Sequence, residues 1–199
     1  MDILNNIISE KLKELGYLKK SVSISTLEKS SFFKVKTKSL SKNIKQKEIG
    51  IIAEHKRKSP SKSNINHQTP TKSIIKGYDN GGAAGISFLT EKKFFNGSSV
   101  KFTEARRITN LPMLRKDFII DEYQIIESKS IGADAILLIA ACLNSSQIKN
   151  LSKLAKSFDL EVLIEIHDLE DLNKSCIDSI DTVSYTHLRA HETLRYLVC

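Results

Sequence analysis

The run Ala135-Ile-Leu-Leu-Ile-Ala140 is apolar throughout, with no alternation. A strand solvated on one side alternates apolar and polar residues. An unbroken run of this length suits a strand covered on both faces, as in a parallel sheet with helices laid across it. Comparable runs recur at Ile51–Glu54, Ala84–Leu89, Leu111–Leu114 and Glu161–Ile166, and another begins near Ile180–Val183. Helical periodicity fills the gaps between them. Pro70 suits the first turn of a helix reaching about Asn80, closed by Gly81 and Gly82. Ser98 or Ser99 opens a helix with Phe102, Ala105 and Ile108 on one face. Asp121, with Gln124 in capping-box spacing, starts a helix that ends at Gly132. Ser145 opens one with Ile148, Leu151, Leu154 and Ala155 inward, and Asp168 starts a short one through Leu169 and Leu172. Strand and helix alternate at roughly 25–35 residues per unit, which predicts an α/β fold of βα repeats.

Ahead of this rhythm, Ile3, Ile7, Ile8, Leu12 and Leu15 have near-helical spacing and predict a helix stopping at Gly16. Residues 17–49 are polar and weakly patterned. Ser25 and Glu28 have capping-box spacing, and Phe32-Phe33-Lys-Val-Lys is a poor strand candidate.

Charge collects where the strands end. The first run breaks into Glu54 and Lys56, the third into Arg115, Lys116 and Asp117, and Glu165 lies inside the fifth. An ionised carboxylate in an apolar run is costly unless it is paired or functional. Parallel α/β folds place their chemistry at the carboxyl ends of their strands. Taken alone, Arg115–Asp117 fits a solvated loop equally well. The three strand ends together point to one pocket fed by several strands.

The net charge is +8, and lysines crowd the first quarter of the chain. Nucleic-acid binding would call for basic residues interleaved with stacking aromatics, and only Phe32 and Phe33 lie near the lysines after Tyr17. The positive charge suits an anionic small substrate better. No apolar run approaches the ~20 residues of a membrane span, and Met1-Asp-Ile-Leu-Asn-Asn does not resemble a secretion signal. Cys142, Cys176 and Cys199 are odd in number and lack metal-ligand spacing, so a cytoplasmic protein with reduced thiols is expected. His187 and His191 could share a helix face, but a metal would need a third ligand.

Several stretches together resemble the indole-3-glycerol-phosphate synthase family. They are Ile51-Ile-Ala-Glu-His-Lys-Arg-Lys-Ser-Pro-Ser61, Gly81-Gly-Ala-Ala-Gly-Ile-Ser-Phe-Leu-Thr90 with Phe94-Phe-Asn-Gly-Ser98, and Leu111-Pro-Met-Leu-Arg-Lys-Asp-Phe-Ile-Ile-Asp-Glu-Tyr-Gln124. Gly132–Ile139 and Leu160-Glu-Val-Leu-Ile-Glu-Ile-His167 continue the likeness. The resemblance implies a (β/α)8 TIM barrel with an N-terminal leader. Residues 1–49 would be the leader, and 50–183 a partial barrel of about five βα units and the start of strand six. Residues 184–199 would be a non-native tail.

The implied reaction closes the ring of 1-(2-carboxyphenylamino)-1-deoxyribulose 5-phosphate, a step of tryptophan biosynthesis, with loss of carbon dioxide and water. It is a carbon–carbon lyase reaction that needs no metal or organic cofactor. By resemblance Lys116 is the general acid, Glu165 a base in dehydration, and Glu54 the support of that acid–base pair. Lys56 and Ser59 would hold anionic groups of the substrate, and Phe95 and Phe118 would pack on the anthranilate ring.

The sequence departs from the family pattern at Ser63, where many relatives have glycine. After Val183 it lacks the expected Gly-x-Asn-Asn-Arg, Glu-Ser-Gly and glycine-rich phosphate loop. The tail resembles a translated adaptor segment, so a truncated chain of little activity that exposes sheet edges is expected. The alternatives are another phosphate-binding barrel, such as phosphoribosylanthranilate isomerase, or a basic module binding nucleic acid. Oligomeric state is not readable from the sequence.

Overall fold

A computed structural model describes residues 3–185. Residues 186–199, which include His187, His191, Cys199 and all of the expected tail but Ser184 and Tyr185, lie outside the described residues.

The leader folds into α1 (Ile3–Ser21), α2 (Ile24–Glu28) and α3 (Leu40–Lys45). Six βα-type strands follow: β1 (Ile52–His55), β2 (Gly85–Leu89), β3 (Met113–Lys116), β4 (Ala135–Ile139), β5 (Glu161–Ile166) and β6 (Thr182–Tyr185). Between them lie α4 (Thr71–Asn80), α5 (Ser99–Arg106), α6 (Glu122–Ser130), α7 (Ser145–Ser157) and α8 (Leu169–Ser175). All strands pair in parallel in the order β1-β2-β3-β4-β5-β6. Sequential parallel strands with a helix in each crossover give a curled half-barrel, the expected α/β architecture of the TIM-barrel class.

Side-chain alternation divides the core in two. Ile86, Phe88, Met113, Ile136, Leu138, Val162, Ile164 and Ile166 point outward and pack with Phe102, Ile125, Ile148 and Leu151 of the helices. Leu114, Ala135, Leu137, Ile139 and Leu163 point into the concave face, where Leu40, Ile44 and Ile52 join them. Leu40 of α3 therefore fills the amino end of the half-barrel. A Cβ on Gly85 would collide with the Leu40 side chain, so this contact requires glycine at the start of β2.

The leader is tied to the barrel by polar bonds. Asp134 accepts from the Lys38 N–H (2.8 Å), and Glu161 accepts from the Ser41 N–H (2.8 Å) and hydroxyl (2.9 Å). The amide of Asn43 donates to the Ala84 carbonyl (2.9 Å).

Several local expectations are corrected. Helix α1 does not stop at Gly16, which is exposed and costs only about 0.5–1 kcal/mol relative to alanine. The buried Leu15 and the Lys19–Asp121 ion pair (2.6 Å) hold the next turn in place. Ser23, not Ser25, caps α2, and Asn144, not Ser145, caps α7 in a full capping box with Gln147. Strand β3 starts two residues later than predicted and runs through Lys116, so Arg115 and Lys116 belong to the strand itself. Asp121 caps α6 as expected. Gln124 does not complete that capping box: its side chain accepts from the Ile120 N–H (2.9 Å) and donates to the Phe118 carbonyl (2.8 Å). Phe32–Lys36 forms turns and no strand.

Candidate active site at the carboxyl end of the sheet

Strand alternation decides which charged groups meet. Ile52 and Leu114 face inward, so Glu54 and Lys116, two residues further along, face inward as well. Glu54 reaches across β2 to Lys116 (Oε2–Nζ 3.0 Å) and is paired through its other oxygen with Lys56 (2.6 Å). The Tyr78 hydroxyl donates to the Glu54 carbonyl (2.7 Å) and fixes this strand end from α4. Burial pushes the Glu54 carboxyl up, but the bond from Lys56 and the charge of Lys116 outweigh it. The net shift is downward, which keeps the carboxylate ionised between two ammonium groups.

Glu165 follows Leu163 by two residues on β5 and so faces inward too. Two strand spacings separate it from Lys116, roughly 10 Å of backbone. His167, two residues further on, lies beside it, with Nε2 3.6 Å from Glu165 Oε1.

The aromatic pair is also assembled. Phe95 and Phe118 have ring centroids 6.1 Å apart at 37°. The buried Glu91 holds the first of them in place, accepting from the N–H groups of Lys93 (3.0 Å), Phe94 (2.8 Å) and Phe95 (3.0 Å). Gly97 closes that loop, where any Cβ would run into the backbone of Thr90 and Glu91. Ser59 stands apart from the other expected site residues. It lies in the loop between β1 and α4, where its hydroxyl meets Ser61 Oγ (3.2 Å) and the Lys62 N–H (3.1 Å).

Arg115 and Asp117 are not a solvated loop. They point away from the concave face and are buried against the helices. Asp117 accepts from the Thr90 hydroxyl (2.6 Å), from Arg115 (3.2 Å) and from its neighbour's N–H at Phe118 (2.8 Å). Lys11 of α1, with its side chain only 4% exposed, completes the set at 2.9 Å from Asp117 and 2.7 Å from Glu14. Arg115 also reaches the Ser128 hydroxyl (3.2 Å), with Glu127 Oε2 2.7 Å away. Burial raises the Asp117 carboxyl, but Lys11 and Arg115 together pull it below the ordinary range. Lys116 and Phe118 are thus held on both sides by a buried ion network reaching into the leader.

Sequence reasoning did not single out three of these groups. Lys11 occupies the same stripe of α1 as Ile7 and Leu15, all buried, and a lysine at that spacing was the available signal. Ser87 is the register partner of both Glu54 and Leu114, and its buried hydroxyl has no hydrogen-bond partner, in phase with the concave face. His167 was visible only as the end of the fifth run. Among the described residues no group of three or more His, Cys, Asp or Glu side chains is placed to hold a metal ion. No described helix is long and apolar enough to cross a membrane.

Comparison with known proteins adds to this geometry. The chain is 42% identical over 171 residues to an indole-3-glycerol phosphate synthase of Bacteroides thetaiotaomicron, covering 86% of this chain and 66% of the relative. It is 46% identical over 142 residues to that of Campylobacter jejuni (strain RM1221), covering 71% and 55%. It is 40% identical over 193 residues to that of Aliarcobacter butzleri, covering 93% and 72%. The chain spans between about half and two thirds of the length of the Bacteroides and Campylobacter relatives. The family model described as indole-3-glycerol phosphate synthase matches residues 4–181. With that match over most of its length, the chain belongs to the indole-3-glycerol phosphate synthase family.

Proposed function

We propose that this site carries the acid–base chemistry of indole-3-glycerol phosphate formation, a decarboxylating lyase reaction. The supporting observation is Glu54 held between Lys56 and Lys116 on the concave face that also presents Glu165. In this reading the Lys116 ammonium donates to the ribulose carbonyl oxygen as the aromatic carbon attacks. Ring closure and loss of carbon dioxide follow, and Glu165 then takes a proton during dehydration. Glu54 aims the Lys116 ammonium through their ion pair. Lys56 and Ser59 bind anionic groups of the substrate, with the β1–α4 loop bringing Ser59 in. Phe95 and Phe118 flank the anthranilate ring.

In the family the glycine-rich phosphate loops belong to barrel units after strand six. The test is therefore made on a chimaera continuing residues 1–181 with the remaining units of the Bacteroides relative. The chimaera is expected to form indole-3-glycerol phosphate. Lys116→Ala in the chimaera should cost about 10²–10⁴-fold in turnover, the usual contribution of a general acid. An inactive chimaera, or a Lys116→Ala variant with undiminished turnover, would refute the proposal.

A further inference from the structure

A base that collects a proton in each cycle must lose it again, and on the concave face Glu165 is four-fifths covered. His167 is placed to take that proton. Residues 165 and 167 share a face at the end of β5 because side chains alternate along a strand. The ring stands 3.6 Å from a carboxylate on each side: Nε2 from Glu165 Oε1, and Nδ1 from Asp171 Oδ2. Nδ1 is buried and makes no hydrogen bond, so it is a polar atom with an acceptor beside it and no bond yet formed.

Asp171 is itself firmly held. Its Oδ2 accepts from the His167 N–H (3.0 Å), its Oδ1 pairs with Lys174 (2.8 Å), and its own N–H is capped by Asp168 (2.8 Å). Burial pushes its carboxyl up, but Lys174 and the His167 N–H prevail and leave it below the ordinary range, as an anion. Away from Asp171 the ring opens to solvent, with 35% of the side chain exposed. The other titratable group close by is Cys142, in the turn after β4. Burial, with the charges of Glu165 and Asp171 added, pushes its thiol up to about 12. It keeps its proton and plays no part.

We infer that His167 is a positioning and proton-relay residue that clears Glu165 between turnovers, oriented by Asp171. The inference rests on the function proposed above. The protons balance without a further reagent. Glu165 takes a proton from the substrate carbon and becomes a carboxylic acid. Its O–H then passes that proton to Nε2 of neutral His167, which restores the carboxylate. The imidazolium directs Nδ1–H at Asp171 Oδ2 and releases its Nε2 proton to water.

The experiment has two arms. In the 199-residue chain, 15N NMR of the histidine rings reports the protonated nitrogen of His167. The His167 ring signals should change in both Glu165→Gln and Asp171→Asn, whereas Lys76→Ala, remote from the site, should leave them unchanged. Signals indifferent to Glu165→Gln overturn the relay whatever the chain's activity. In the chimaera, His167→Ala should lower kcat by about 10- to 100-fold with KM nearly unchanged, within the range of positioned proton transfer. Its pH–rate profile should change shape, and added imidazole should restore much of the lost rate. His167→Gln, which keeps the bulk but cannot carry the proton, should be equally slow. Full activity in either variant, or a loss that imidazole does not repair, overturns the proposal. A wild-type chimaera without activity counts against the proposed function itself, and the NMR arm then decides whether His167 is coupled to Glu165.

Discussion

Asp117 answers to two cations at once, Lys11 and Arg115, with almost no exposure to water. Removing one member of such a set leaves buried charge uncompensated, which typically costs about 3–5 kcal/mol. Asp117→Asn should therefore lower the urea midpoint sharply. The pH dependence follows from the same shift. The folded carboxyl lies below its unfolded value, so its contribution is complete above the ordinary carboxylate range and is lost as pH falls through the folded value. The acid limb of the stability curve should be shallower in Asp117→Asn. His55 behaves differently. Stacked on Phe88 with ring centroids 4.2 Å apart, it is lowered from 6.5 to about 4, by burial first and then by the charge of Arg57. The unfolded ring gains its proton near 6.5 and the folded one only near 4, so stability should fall as pH drops across that window. His55→Leu should remove that slope in urea titrations taken at successive pH values.

The strands were legible because they are apolar runs too short for helices and bounded by turn residues, as Ala135–Ile139 and Glu161–Ile166 illustrate. Glu165 was legible for the opposite reason, as a charge where none is expected. What the sequence hid was direction. Met113-Leu-Arg-Lys116 reads as an apolar run that ends in charge, yet it is a single strand whose odd and even members serve different faces. Arg115 goes out to the helices and Lys116 goes in to the concave face. Caps were hidden too, because Ser23 and Ser25, or Asn144 and Ser145, offer equivalent oxygens and only the local backbone chooses between them. The same strand predicts how α1 is held. Lys11→Met should loosen the leader, raising amide exchange along α1 well above that of β4, as measured by mass spectrometry. Protection of α1 unchanged in that variant would mean that Leu15 and Ile7 suffice to hold it.

At the scale of the molecule, β1 and β6 are the outermost of the described strands, each with one strand partner among them. The leader touches the sheet at both ends, through Leu40 below and Lys11 above. That second contact has a consequence for descent. A change at residue 11 or at residue 117 is harmful in the absence of the other, so the two positions drift together or not at all. Lys11→Asp combined with Asp117→Lys is a crossing that selection would rarely find, because each intermediate buries like charges. The leader and the strand-three motif are thus expected to vary as one unit, although about half the chain separates them.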